Sequence, residues 1–113
     1  MKALKLLLLV SLLSINLKSY SQTKEVVYVN IHEVLYDAFD SFIHITYPDQ
    51  SSKWIDLEKH IRSKGKEVEE NDRKIHAELS KLINDGYVIQ SSSTGGDATS
   101  TITIIILVRT KEK

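Results

Sequence analysis

The chain of 113 residues carries 15 Lys and Arg residues and 15 Asp and Glu residues, so its formal net charge is zero with neutral histidines. It contains no cysteine, which excludes a disulfide framework and thiol chemistry. This length suits one small domain and is too short for two.

The N-terminal segment has the three zones of an export signal. Two lysines precede an apolar run from Leu6 to Leu13, and Ser19 and Ser21 place small residues where signal peptidase cleaves. The run is well short of the roughly 20 residues that cross a bilayer, so a retained membrane anchor is the weaker alternative. We therefore predict a signal peptide over residues 1–21, a single α+β domain over residues 22–113, and a periplasmic or secreted protein with no membrane anchor after cleavage.

Cleavage changes the charge that matters for recognition. Removal of Lys2, Lys5 and Lys18 leaves 12 basic residues against 15 acidic residues, a formal charge of −3 (12 minus 15). A nucleic-acid partner requires a clustered surplus of basic residues. The mature chain is therefore not expected to bind nucleic acid.

Two stretches before the only proline alternate in the manner of β-strands. In "EVVYVNI", the side chains alternate with a period of two, which predicts a strand from about Glu25 to Ile31, with an extension to Tyr36 left open. "SFIHITYP" alternates in the same way and ends at Pro48, where "PDQSS" supplies turn residues. These two strands are expected to form a hairpin.

The following segment, residues 53–61, is ambiguous between a short strand and a helical turn. A third strand is favoured because the loop before it is short and Gly65 follows as a break. From Glu67 to Asn84 the pattern predicts an amphipathic helix, and Gly86 can adopt the left-handed conformation that ends it. The apolar face of the predicted helix consists of Val68, Ile75, Leu79, Leu82 and Ile83.

The C-terminal stretches "YVIQS" and "STITIIILVRT" predict two further strands, joined by "SSTGGDATS" as a long hairpin connection. In the last strand one face is purely aliphatic, from Ile102 to Val108, and we expect Ile104 and Ile106 on it to lie beneath the helix. An uncharged run of this kind must be protected as a central strand, paired on both sides. The predicted fold is α+β: an antiparallel sheet of four to five strands, with one helix packed on one face, in the order ββ(β)αββ.

The helix ending in "IHAELSKLINDGYVIQ", followed by a Gly-rich gap and the terminal "TITIIILVRT", resembles small exported bacterial proteins of unknown function. In these, an amphipathic helix with paired leucines precedes a Gly-aromatic dipeptide and a closing hairpin. The resemblance covers roughly Glu67 to Arg109. It implies a helix on an antiparallel sheet and transfers no catalytic or binding residues.

The sequence offers little support for enzymatic chemistry. "TGGDATS" has no lysine after its glycines and precedes a strand, unlike a phosphate-binding P-loop, and no serine lies in a GxSxG elbow. Of the four histidines, His32 and His44 lie on paired strands, but two imidazoles are too few ligands for zinc. We therefore expect no metal, no cofactor and no enzymatic activity.

The remaining candidate is the sheet face away from the helix, which a single helix leaves uncovered. An exposed apolar patch of this kind usually marks a partner surface. The hypothesis is a non-enzymatic binding or self-associating module, with an unidentified protein or a homo-oligomer as partner. The alternative is a small ligand-binding or hydrolytic enzyme that uses the Ser/Thr/Gly loop at residues 91–100. The residues assigned to the candidate partner surface are Tyr28, Phe42, His44, Ile105 and Leu107.

Overall fold

The computed structural model describes residues 23–34, 40–59 and 65–111. The predicted signal peptide lies outside these residues. The elements in chain order are β1 (Thr23–Val34), β2 (Ser41–Thr46), β3 (Ser52–Leu57), α1 (Lys66–Asn84), β4 (Val88–Gly96) and β5 (Ser100–Lys111). The described residues thus form an α+β fold with one helix and five antiparallel strands.

The sheet has the strand order β3-β2-β1-β5-β4. Strands β1, β2 and β3 form consecutive hairpins, and β4 pairs with β5. The two halves join where β1 pairs with β5 along its whole length, from Thr23 opposite Lys111 to Val34 opposite Ser100. Strand β5 is therefore flanked on both sides, as predicted.

The turn at Pro48 brings β3 against β2. The amide of Tyr47 donates to the carbonyl of Ser51 at 2.9 Å, and the Asp49 carboxylate accepts from the amide of Ser51 at 2.9 Å. This turn leaves β3 antiparallel to β2, with Ser52 opposite Thr46. The preferred strand assignment for this segment is confirmed, over Ser52–Leu57.

The start of α1 is fastened to the end of β3 by Asn71. Its side chain is fully buried and forms two hydrogen bonds of 2.7 Å with the backbone of Glu58, one to the amide and one to the carbonyl. These two bonds satisfy the amide and carbonyl of Glu58, which lies just beyond the end of β3. Farther along, Lys53 of β3 pairs with Glu78 of α1 at 3.2 Å.

The end of α1 is a Schellman motif. The amide of Gly86 donates to the carbonyl of Ile83 at 3.0 Å, and the amide of Tyr87 donates to that of Leu82 at 3.1 Å. Gly86 has φ of 96°, which confirms the left-handed conformation predicted for it. Leu82 and Tyr87 are both buried in the core, so the cap also directs the chain into β4.

The buried face of α1 differs from the predicted face. Leu82 is buried and Ile75 and Leu79 are partly buried against the core, but Val68 and Ile83 are exposed. Two polar residues occupy the buried face instead, because Asn71 and Glu78 have partners on β3 and the segment after it. The partners of a buried polar side chain lie elsewhere in the sequence, so helical periodicity alone could not reveal them.

The predicted long connection between β4 and β5 is wrong. Strand β4 runs through Gly96 and β5 starts at Ser100, with Gly96 opposite Thr101. Only the tip remains as a turn, in which the Asp97 carboxylate accepts hydrogen bonds from Thr99 and from the amide of Ser100. Serine and threonine are compatible with an exposed edge strand, so their abundance did not mark a loop.

The predicted faces of β5 are reversed. Ile105 and Leu107 are 7% and 0% exposed and belong to the core, whereas Ile104 and Ile106 lie on the face away from α1. Directly paired residues share a face, and the core residues Val27 and Val29 of β1 are paired with Leu107 and Ile105. The pairing register with β1, rather than the aliphatic content of each face, determines which side of β5 is buried.

Candidate functional site

The sheet has one covered face and one open face. Alternating side chains of β1, β2 and β5 form the core with α1, and their neighbours in sequence point to the opposite side. Across residues 23–34, 40–59 and 65–111, no helix or second sheet packs on that opposite side. We call it the open face.

One half of the open face is aromatic. The ring of His44 stacks on that of Trp54 with centroids 4.0 Å apart, and Phe42 lies 5.0 Å from Trp54 and 5.1 Å from His32. These four rings are brought together by the register, which places His44 opposite Trp54 and Phe42 opposite His32. We call the four side chains the aromatic patch. Trp54 is 61% exposed, so the patch presents a large ring to solvent.

The other half of the open face is aliphatic. Its members come from three neighbouring strands, β1, β5 and β4, and are kept on one side by the paired register. Val88 is 66% exposed, Val26 47% and Ile102 40%, whereas Ile104, Ile106 and Val108 are half-buried. We call this the aliphatic patch, and it comprises Val26, Val88, Ile102, Ile104, Ile106 and Val108.

Tyr28 and Asn30 of β1 lie between the two patches. Tyr28 is opposite Thr46 on one side and Ile106 on the other, and it is 37% exposed. Asn30 is opposite His44 and Ile104. The Oδ1 atom of Asn30 and the Nδ1 atom of His32 are buried and have no hydrogen-bond partner among the described residues. The centre of the open face therefore contains polar atoms that the described part of the chain does not satisfy.

A depression of about 320 Å³ lies near the end of α1 and is lined in part by Glu25, Tyr87 and Arg109. The Arg109 guanidinium lies over the Tyr87 ring, 4.4 Å from its centroid, and pairs with Glu25 at 2.9 Å and Asp85 at 3.0 Å. The hydrogen bond to Glu25 raises the pKa of Arg109, and burial raises the pKa of Tyr87. The three guanidinium nitrogens of Arg109 donate to Glu25 or Asp85 and so hold the helix end on the sheet, and we assign this network a structural role.

The five residues predicted for the partner surface separate into two groups. Tyr28, Phe42 and His44 lie on the open face, whereas Ile105 and Leu107 are buried in the core on the other side. The exposed Trp54 and the open-face aliphatic residues of β5 were not among the predicted residues. Neighbouring side chains in a strand point to opposite faces, and Trp54 directly precedes Ile55. This alternation indicated that Trp54 faces away from the core.

The residues of the alternative enzymatic hypothesis are also placed. Ser91, Ser92 and Ser93 lie on β4, which is exposed along its whole length, and Asp97 directs its hydrogen bonds into its own turn. Those hydrogen bonds lower the pKa of the Asp97 carboxyl, the largest contribution coming from Thr99. In the described part of the chain, no three His, Asp or Glu side chains are grouped so that they could hold a metal ion.

Comparisons with protein-family models, with curated proteins and with solved structures found no match to this chain. Among the described elements, no helix has both the length and the apolar content of a bilayer span. The functional interpretation therefore rests on the residues of the open face.

Proposed function

We propose that the protein is an exported, non-enzymatic binding module that docks another protein surface on its open face. The observation that supports this is that the aromatic patch and the aliphatic patch lie side by side on a sheet face that no described element covers. Monomeric proteins rarely expose a contiguous apolar surface of more than a few hundred Å² unless it binds something.

The composition of the open face is typical of an interface centre. Such centres are enriched in aromatic residues and depleted of charge, and Trp and Tyr are frequent among the residues that contribute most to affinity. Here the side chains of Trp54 and Tyr28 are exposed, while Ile104 and Ile106 of β5 are half-buried on the same face. Docking would remove the two protruding rings from water at little cost in conformational entropy, because each has only two side-chain torsions.

Site-specific photo-crosslinking in the native host tests this proposal. The photoreactive residue p-benzoylphenylalanine is placed at Tyr28, on the open face, or at Ile83, which is 49% exposed on α1. We expect discrete covalent adducts from the Tyr28 position and none from the Ile83 position. Adducts of equal yield from both positions, or none from either, would show that the open face is not a preferred docking surface.

Export is the second part of the proposal. If residues 1–21 are a cleaved signal, the protein recovered outside the cytoplasm begins at Gln22 or within a few residues of it. N-terminal mass spectrometry measures this directly. An exported protein that retains Met1, or a chain found wholly in the cytoplasm, contradicts it.

A further inference from the structure

The open face has the size that a dimer interface needs. Neighbouring strands lie about 4.8 Å apart, so the five-stranded sheet is about 19 Å wide. Strands β1 and β5 have 12 residues each and β2 and β3 have 6, which gives lengths of about 40 Å and about 20 Å. The projected area is on the order of 600 Å². Because protruding side chains add accessible area, this approaches the roughly 800 Å² per partner of a standard interface.

The charge on the open face favours a partner with the same surface. No Lys, Arg, Asp or Glu lies at the centre of the open face among the described residues. The side chains there are the alternate residues of β1, β2 and β5 within the ranges Val26–His32, Phe42–Thr46 and Ile102–Val108. Asp56 and Lys24 are on this side too, but Asp56 lies on the edge strand β3 and Lys24 lies near the start of β1. Two copies brought face to face therefore meet no repulsion between fixed charges at the centre. At this centre a partner of opposite charge therefore finds no fixed charge with which to pair.

Asn30 gives the open face a self-complementary centre. It lies half-buried on β1, the middle strand of the five, and its Oδ1 atom is buried and has no partner within the described chain. Rotation of the amide by half a turn about χ2 exchanges Oδ1 with Nδ2. A carboxamide carries both a donor and an acceptor, so it can pair with an identical carboxamide across a twofold axis. A buried asparagine of this kind fixes the register of an association that is otherwise apolar.

We propose that the occupant of the open face is a second copy of this chain. This inference rests on the docking role proposed above and specifies the partner. The two sheets pack face to face at a spacing of about 10 Å, in four layers of helix, sheet, sheet and helix. The twofold axis passes near Asn30, and each aromatic patch lies against the open face of the other copy.

The proposal is tested by sedimentation of the protein over micromolar to near-millimolar concentrations. The sample is the form of the protein that accumulates in its host. The wild type is compared with Ile104→Asp at the centre of the open face, Trp54→Ala at its aromatic edge, and Ile83→Asp on α1 as the matched control. We expect wild type and Ile83→Asp to approach twice the protomer mass as concentration rises. Ile104→Asp is expected to stay at the protomer mass, and Trp54→Ala to need at least a tenfold higher concentration to dimerise.

Each outcome bears on one of the two proposals. Circular dichroism identifies a variant that has failed to fold. If Ile104→Asp fails to fold, wild type is compared with Trp54→Ala, which removes an exposed side chain from an edge strand. A wild type that remains at the protomer mass throughout overturns the dimer. If the Tyr28 crosslinks then have the mass of a different protein, the docking role is retained without self-association. If no adducts form either, both proposals fail.

Discussion

At the scale of single residues, Glu78 is a buried acidic side chain that is held by two lysines. Burial raises the pKa of its carboxyl, but hydrogen bonds from Lys81 and Lys53 outweigh burial, so the pKa lies below its ordinary value of 4.5. An acid with a lowered pKa in the folded state contributes stability above its unfolded pKa. That contribution is lost as the pH falls through the folded pKa. Glu78 therefore stabilises the fold at neutral pH and not in acid.

The substitution Glu78→Gln removes the charge and keeps the shape. We expect it to lower the free energy of unfolding by about 1 kcal/mol at pH 7, and we expect the deficit to shrink below pH about 4.5 as the wild-type carboxyl becomes protonated. Urea denaturation at pH 7 and at pH 3 measures both values. The control is Glu69→Gln, whose pair with Arg73 is solvent-exposed and should contribute little. A deficit for Glu78→Gln that does not depend on pH would contradict this account.

Gly86 is the residue that ends α1 and turns the chain into β4. Its φ of 96° disfavours any side chain, and an added Cβ would lie 3.3 Å from Cδ of Arg109. Gly86→Val is expected to lower stability by about 1 to 2 kcal/mol. Gly95→Val is the matched control, since a Cβ at Gly95 meets nothing within 4 Å. Thermal unfolding of both variants measures the difference, and equal midpoints would show that the Schellman cap does not matter for stability.

At the scale of elements, the sequence predicted which segments form strands and helix, and in which order. Hydrophobic period and turn residues act locally, so β2, β3 and α1 were found within a few residues of their bounds. The faces of β5 were assigned the wrong way round, because both carry aliphatic side chains. Its buried side depends on pairing with β1, more than 70 residues earlier in the chain. The candidate site shared this error: Phe42 and His44 followed from the alternation of β2, but Trp54 of β3 was not predicted and the aliphatic half required the register.

The two faces of β5 predict opposite effects for two neighbouring substitutions. Ile105→Asp places a charge in the core and is expected to lower the free energy of unfolding by more than about 3 kcal/mol. The exposed strand should then bind a fibril-specific dye, since "TITIIILV" is uncharged and strongly β-prone. Ile104→Asp lies on the open face and is expected to cost about 1 kcal/mol in a dilute sample. Soluble yield and dye binding of the two variants measure this, and greater damage from Ile104→Asp would mean that the faces are assigned incorrectly.

At the scale of the whole molecule, the described residues form two layers, α1 and the five-stranded sheet. One helix covers one face of a five-stranded sheet, and the other face carries side chains that are apolar without being enclosed. A sheet that is amphipathic in the usual sense has polar residues on its solvent side. Here the aliphatic side of β5 and the aromatic side of β2 and β3 face outward instead, which the stability of an isolated protomer does not require. This composition is what the proposed association on the open face would explain.

Trp54 is the only tryptophan of the chain and lies on the open face, so its fluorescence reports on that surface alone. The measurement is quenching by acrylamide over the concentration range in which the protein changes mass in sedimentation. We predict that Trp54 is readily quenched in dilute solution, and that quenching falls and the emission shifts to shorter wavelength as dimers form. Ile104→Asp should remain readily quenched at every concentration. Dimers in which Trp54 is quenched as readily as in the protomer would contradict the assignment of the open face as the interface.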